Sequence, residues 1–456
     1  MRGREWWAAI WLLAATGCGS EPGGQLGVPR QQPARACAFA APEDPARNVM
    51  AAVTGRELVL IRTDGSRTAV HRFRDPPPIL GERPYESAVL ASQDGWLAAT
   101  FSYRQLYAAY GQEARSYAVV LSPAGELAWS GEVDRAPLLG AGGQFVVEQP
   151  FQSTRVVAGA ASFAAPDFTA IAGPRADGEV AGWFTDGEPG LVWLDPATGR
   201  RTRFAADPAS GWPTPVALAG RMLYLGERGG EPRLVWEAPG DALEVALPQG
   251  AAAAVRDVTA SGWVLLAVGD KWLRAHFPSG LLEALEVTLP EGQRVLGPAP
   301  RLADDGRLCV GLRDEASAGL YCSADGASWS RVGASFAQVS AVDAERAGAT
   351  HVIRATDYRY TYLSPEDEWP SAAPSALLGR SLQVVRGELE RVLPAEARVT
   401  PELLTADGLC VGFTVRKVTA SATSITLLAL DVEPGDSHEL LVTDNLKAAA
   451  WIDPAR

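Results

Sequence analysis

The chain has few of the residues from which metal centres are built. Its four histidines, His71, His276, His351 and His438, are isolated from one another, and its five cysteines include no Cys-x-x-Cys pair. A zinc site therefore has no spacing signal, and no His-Glu-x-x-His or Gly-x-Ser-x-Gly motif is present either. We predict neither a bound metal nor a cofactor.

Lysine is also nearly absent. The 456 residues include three lysines against 38 arginines, and the formal net charge is −13. An acidic surface repels phosphate groups, so nucleic acid is not an expected partner.

Long apolar stretches with helical periodicity are missing beyond the N-terminus. Short runs of β-forming residues alternate instead with Gly, Pro and Asp turns, which is typical of an all-β sandwich, barrel or propeller. Runs such as MLYLGE and WVLLAVG are apolar on both faces, as strands buried between two sheets must be.

A four-stranded unit repeats at roughly 40 residues, the size of a propeller blade. One hairpin recurs in these units, with an apolar run, a Pro/Ser/Asp-rich turn, a glycine and a second apolar run. Glycine suits the turn because tight hairpins need a positive φ. The turns are centred on Gly125, Gly199, Gly240, Gly280 and Gly326, with further copies near Gly65, Gly159, Asp367 and Gly435.

Nine candidate turns exceed the usual blade number, so we expect at least one to be false. We predict a β-propeller of about eight four-stranded antiparallel blades over residues 46–446, followed by a C-terminal tail, 447–456. Seven blades, or a pair of β-sandwich domains, are the alternatives.

The N-terminal segment has the features of an export signal. Arg2 and Arg4 precede a short apolar run, and the small residues Ala15 to Gly17 lead into Cys18. This segment resembles the lipobox of bacterial lipoproteins. The resemblance implies a signal peptide, 1–17, lipidation of Cys18 and a membrane anchor in the bacterial cell envelope. Gly19 and Ser20 resemble the residues that permit sorting to an outer membrane. Residues 18–45, rich in Gly, Pro and Gln, are expected to form a flexible tether.

The turn sequence SADGASW contains Ser323, Asp325, Gly326 and Trp329. It resembles the Asp-box of sialidase-like propellers, in which Asp binds backbone N–H groups of the turn and Trp packs beneath it. In that family the motif lies between the third and fourth strands of a blade, away from the ligand face. It therefore implies a fold and not an activity.

Four cysteines remain after lipidation, and export favours their oxidation. If a hairpin turns around Glu315, Cys309 lies directly opposite Cys322, within disulfide range. Cys37 would then pair with Cys410. The alternative is that all four are small buried thiols.

One aromatic segment is a candidate binding loop. Tyr103, Arg104, Tyr107 and Tyr110 lie in 103–116, which is longer than a hairpin turn needs. Exposed Tyr and Arg can bind a protein or a glycan. The alternating Tyr358, Tyr360 and Tyr362 are expected to pack between blades instead.

Two functions follow from these features. The first is a non-enzymatic binding or scaffold propeller at the cell envelope, with a protein or glycan partner. The alternative is a glycan-active hydrolase of the sialidase-like class. The resemblance implies that such an enzyme needs an arginine cluster, a Tyr–Glu pair and an acidic proton donor.

Overall fold

The computed structural model describes most of the chain beyond the N-terminal segment. The described residues are Cys37, 47–74, 85–107, 111–150, 154–158, 161–186, 189–208, 215–218, 220–248, 253–259, 261–269, 271–277, 279, 281–285, 287–296, 300–336, 339, 341–358, 377–394, 396–405, 407–419 and 422–452. The predicted signal peptide lies outside them, as does the whole predicted tether, including Cys18, apart from Cys37. No helix within the described ranges is long and apolar enough to cross a membrane.

The described residues form nine antiparallel sheets, which are the blades of an all-β propeller. Blade 1 contains β1 (Asn48–Thr54), β2 (Glu57–Arg62), β3 (Arg67–Arg72) and the last strand of the chain, β38 (Leu446–Trp451). Blade 2 contains β4 (Tyr85–Gln93), β5 (Trp96–Tyr107), β6 (Gly111–Leu121) and β7 (Leu127–Val133). Blade 3 contains β8 (Leu138–Leu139), β9 (Phe145–Glu148), β10 (Thr154–Ala158) and β11 (Ala161–Ala165), with a 3₁₀ turn at Ala141–Gly143.

The next three blades follow in chain order. Blade 4 contains β12 (Phe168–Ala170), β13 (Val180–Phe184), β14 (Gly190–Leu194) and β15 (Arg201–Arg203). Blade 5 contains β16 (Asp207–Pro208), β17 (Val216–Leu218), β18 (Arg221–Arg228), β19 (Glu231–Ala238) and β20 (Asp241–Ala246). Blade 6 contains β21 (Ala253–Val258), β22 (Trp263–Val268), β23 (Lys271–His276) and β24 (Leu281–Leu285).

Three further blades complete the described chain. Blade 7 contains β25 (Arg294–Val295), β26 (Arg301–Leu302), β27 (Leu308–Arg313), β28 (Ala318–Ser323) and β29 (Trp329–Phe336). Blade 8 contains β30 (Ala341–Ala347), β31 (Thr350–Tyr358), β32 (Leu377–Arg386) and β33 (Leu389–Leu393). Blade 9 contains β34 (Ala397–Arg398), β35 (Cys410–Val418), β36 (Thr423–Asp431) and β37 (Ser437–Thr443), with a 3₁₀ turn at Pro401–Leu403. In blades 5 and 7 the first strand is split into two pieces that pair with the same neighbour.

The prediction of about eight blades is wrong, because the described residues build nine. Six of the predicted turn glycines, at 65, 125, 199, 240, 326 and 435, join the third and fourth strands of their blades with positive φ. Gly159 and Gly280 lie outside the described residues, in the corresponding connections of blades 3 and 6. In blade 8 this turn uses Gly387 (φ 58°), whereas Asp367 lies outside the described residues.

The expected C-terminal tail, 447–456, also needs correction, because part of it is a strand. Strand β38 includes the first half of it, Lys447 to Trp451, and pairs with β1 from Met50↔Trp451 to Thr54↔Leu446. Ala450 and Trp451 are buried there, so this segment is an element of blade 1.

The chain divides into two compact units, Met1–Gly250 with Val442–Arg456, and Ala251–Leu441. The first unit contains blades 1 to 5. The second contains blades 6 to 9, except for the last two residues of β37.

Within each unit the core lies between consecutive blades. Leu58 and Phe73 of blade 1 are buried against Leu97 and Phe101 of blade 2, and the two phenylalanine rings stack 5.3 Å apart. A second such layer joins blades 8 and 9 in the other unit. Because a central blade is covered on both faces, its strands are apolar at successive positions, as in Met222–Leu225.

Candidate functional site: a charged cleft on blades 1 and 2

An open cleft of about 350 Å³ lies where blades 1 and 2 meet. We call it the charged cleft, and its lining residues are Thr54, Gly55, Arg56, Glu57, Arg72, Glu86 and Asn445. Its volume falls within the range of roughly 300–1,000 Å³ that is usual for ligand sites.

The strand order of blade 1 explains why these residues converge. The cleft is built on the β1–β2 turn, the end of β3 and the starts of β4 and β38. All of these lie at the end of the two blades opposite the Gly65 and Gly125 turns, because successive turns of an antiparallel meander alternate between its ends. Gly55, at φ 56°, donates its N–H to the Asn445 carbonyl at 2.6 Å and so fixes the turn against the last strand.

Two cations bind the carboxylate of Glu86. Arg56 donates from Nε at 2.9 Å and from Nη2 at 2.5 Å to Oε1, and Lys447 Nζ lies 3.5 Å from Oε2. Both carboxylate oxygens of Glu86 are therefore paired with cationic side chains of the protein. Such a charge-assisted arrangement holds the cleft wall in one geometry.

A second pair in the cleft is much looser. Arg72 Nη1 lies 3.5 Å from Glu57 Oε1, and the two side chains are 68% and 48% exposed. Exposed pairs of this kind contribute little, about 0–1 kcal/mol, and exchange easily with other partners. The cleft thus combines a fixed charged wall with one accessible guanidinium.

No sequence motif marks these residues. Glu86 and Lys447 meet Arg56 only through the β1–β38 pairing and the packing of blade 2, and no local motif marks either event. The polar turn Gly55–Arg56 between two apolar strands was the available signal, and it is an ordinary hairpin signal.

The structure contradicts the predicted binding loop. Residues 103–116 were expected to form a loop, but β5 and β6 continue as a hairpin to Tyr107 and Gly111. Tyr103 is buried, with its ring 6.3 Å from that of Tyr117, because it faces the layer between blades. Arg104 is exposed. Tyr110 lies outside the described residues, as do Tyr360 and Tyr362 of the second aromatic stretch.

A Tyr–Glu pair is present, but it is enclosed in the core of blade 5. Tyr224 Oη donates to Glu237 at 2.7 Å, and the same carboxylate accepts from Trp193 Nε1 at 3.2 Å and from the Ala205 N–H at 2.8 Å. Tyr224 and Glu237 are 2% and 3% exposed. Burial, and then the bond to Glu237, raises the pKa of Tyr224 far above its ordinary value. A substrate has no access to this pair, so its role here is to bind blade 4 to blade 5.

The SADGASW turn joins β28 and β29, the third and fourth strands of blade 7. Asp325 Oδ1 accepts from the N–H groups of Ala327 and Ser328 at 2.9 and 2.7 Å and from Ser323 Oγ at 2.9 Å. These bonds hold the pKa of Asp325 well below its usual range. Trp329 Nε1 donates to the Thr288 carbonyl at 2.9 Å, which ties the turn to the preceding connection.

The register of β27 and β28 places Cys309 opposite Cys322, and a disulfide joins them with a Cα–Cα distance of 4.1 Å. Cys37 and Cys410 are also disulfide-bonded. The pairing of Cys37 with Cys410 stays a prediction, which peptide mapping under non-reducing conditions tests.

A second polar cluster lies within the other unit, across blades 6, 7 and 8. Asp257 accepts from the Leu302 N–H at 2.6 Å and pairs with Arg346 at 3.3 Å. These bonds connect the ends of three consecutive first strands, which is a structural arrangement. Among the described residues, no group of three His, Cys, Asp or Glu side chains could hold a metal ion.

No family model and no curated protein matches this chain. Solved structures match at low identity. A eukaryotic initiation factor is 11% identical, with a TM-score of 0.46, over 89% of this chain and 98% of that one. The β-propeller domain of the Trilobed protease from Pyrococcus furiosus, described as having an open velcro topology, is 11% identical, with a TM-score of 0.32, over 68% and 96%.

A puromycin-hydrolyzing peptidase from Mycobacterium tuberculosis is 12% identical, with a TM-score of 0.34, over 73% of this chain and 58% of the peptidase. This chain therefore spans little more than half of that enzyme. Likeness at these values concerns the fold alone.

Proposed function

We propose that the protein is an exported binding propeller, anchored in the cell envelope through lipidated Cys18, that holds a protein or glycan partner at the charged cleft. The observation that carries this proposal is the cleft itself, an open charged surface with the accessible guanidinium of Arg72. Its two carboxylates are each paired with cations of the chain, which suits recognition of a ligand.

The disulfide chemistry supports export. Disulfides persist mainly in oxidising compartments, and Cys309–Cys322 is formed within one blade. The lipobox-like segment supports an anchor, and the following Gly/Pro-rich residues would hold the propeller away from the membrane.

The experiment measures binding of the mature chain to separated envelope components. Peptidoglycan, envelope polysaccharide and detergent-solubilised envelope proteins are presented in turn to immobilised protein. We expect saturable binding to one component, and we expect Arg72→Glu to weaken it because the substitution reverses the accessible charge of the cleft.

Arg200→Glu is the matched control. Arg200 has the same charge, is 72% exposed and lies in the β14–β15 turn of the same unit, away from the charged cleft. Equal binding by the wild type and Arg72→Glu would show that the cleft is not the binding site. Release of sugar or peptide products from any component would replace this proposal with a hydrolase.

A further inference from the structure

We infer that the charged cleft takes an acidic segment of a partner protein, with an aspartate or glutamate side chain bound by Arg72. The inference rests on the proposed function, because it names the ligand of the same cleft.

Arg72 has the geometry that such a contact needs. Its side chain is 68% exposed, and its guanidinium makes one contact of 3.5 Å with Glu57. An incoming carboxylate can form two parallel hydrogen bonds with the guanidinium fork, which is a stronger arrangement than the contact it replaces. Arg56 and Lys447 are held by Glu86 and would form the fixed wall beside it.

The charge balance favours an anionic group at this position. Arg56, Arg72 and Lys447 oppose Glu57 and Glu86, so the group has one excess positive charge, while the whole chain has a net charge of −13. Arg74 and Asp444, which are close in the chain to the lining residues Arg72 and Asn445, are exposed and have opposite charges. An acidic segment is repelled by the net negative charge of the chain and attracted by the local positive charge of the cleft, which favours docking there.

The lining favours a protein segment over a small molecule or a sugar. Small-molecule sites are mostly apolar and aromatic. The lining of the charged cleft contains no aromatic ring on which a sugar could stack.

The test uses fluorescence polarisation with the full mature chain. The probe is a short fluorescein-labelled peptide of alternating glutamate and serine, and a peptide with lysine in place of glutamate is the control probe. We expect binding of the acidic peptide that weakens with added salt, a loss of about tenfold in affinity for Arg72→Glu, and no change for Arg200→Glu. Polygalacturonate is the competing acidic polymer.

Equal binding of the two peptides, or equal effects of Arg72→Glu and Arg200→Glu, would overturn the inference. If polygalacturonate binds in an Arg72-dependent manner and the acidic peptide does not, the inference fails while the binding function stands. If the envelope components, the acidic peptide and polygalacturonate all fail to bind, the inference and the proposed function fail together.

Discussion

At the residue scale, His351 provides a pH-dependent contribution to stability. It is buried at the start of β31, where burial, and then the charges of Arg307 and Arg346, lower its pKa to about 4. The nearby Asp305 raises the pKa less than these effects lower it. The histidine is therefore neutral in the folded protein at pH values where an exposed histidine takes up a proton.

The sign of the effect follows from proton binding. Between the ordinary value of 6.5 and about 4, the unfolded chain binds a proton at His351 that the folded chain does not. Stability therefore falls as the pH falls through this interval, by a total on the order of 3 kcal/mol. We expect His351→Asn to flatten the pH dependence of the melting temperature over this interval. Parallel curves for the two proteins would contradict the prediction.

Glu237 gives a second prediction at this scale. Glu237→Ala leaves the donor of Trp193 unpaired inside the core, at a cost of about 1–3 kcal/mol, and leaves Tyr224 Oη with the Ala206 carbonyl, 3.4 Å away, as its acceptor. It also removes the acceptor of the partly buried Ala205 N–H. Tyr224→Phe removes one donor of the same network without changing the ring. We expect both to lower the thermal midpoint, with the larger drop for Glu237→Ala. The exposed Glu231→Ala is the control, and a drop as large in that variant would refute the argument.

At the element scale, β38 completes blade 1. Ending the chain after Thr443 removes this strand and leaves the hydrogen-bonding edge of β1 open from Met50 to Thr54. Open edges promote aggregation, so we expect this truncation to lower the yield of soluble protein and the melting temperature. Ending the chain after Ile452 retains all of β38 and is the control. Equal behaviour of the two truncations would show that blade 1 is stable without its last strand.

The turns show how far the sequence predicts the elements. Gly65, Gly125 and Gly199 could be identified because a tight hairpin needs a positive φ, which glycine adopts without strain. Gly387 was missed because Gly-Glu lacks the Pro, Ser or Asp of the other copies. Eight of the nine candidates fall between the third and fourth strands of a blade in the sequence, whereas Asp367 precedes β32 and blade 8 uses Gly387. The expectation of about eight blades rested on the usual blade counts and not on the residues.

The charged cleft could not be predicted in the same way. Pairing and packing of strands that are distant in the chain bring together Arg56, Glu86 and Lys447. The partner of an isolated charged residue cannot be identified from the sequence alone. Tyr103 is the opposite case, because it was predicted to be a binding residue and is buried. An aromatic side chain in a polar stretch suggests an exposed loop, but strand β5 extends through Tyr103. The side chain is buried because it lies on the covered face of that strand.

At the scale of the whole molecule, the anchor at Cys18 stays a prediction. Cys18→Ala removes the thiol that lipidation requires, so we expect the variant to leave the membrane fraction and the detergent phase. Ser20→Ala, in the adjacent tether, is the control and should partition like the parent. Retention of Cys18→Ala in the detergent phase would mean that another segment holds the protein at the membrane.

The pairing of the first and last strands also has a consequence for biosynthesis. A ribosome makes Met50 long before its partner Trp451, and at about 5–20 residues per second the delay is roughly 20–80 s. During that interval β1 can pair with β2 on one side, but its other edge has no partner from its own chain. A premature stop codon anywhere before Leu446 would remove the partner strand of β1 altogether. Even a short C-terminal truncation would then leave the edge of β1 exposed, where it can pair with strands of other chains.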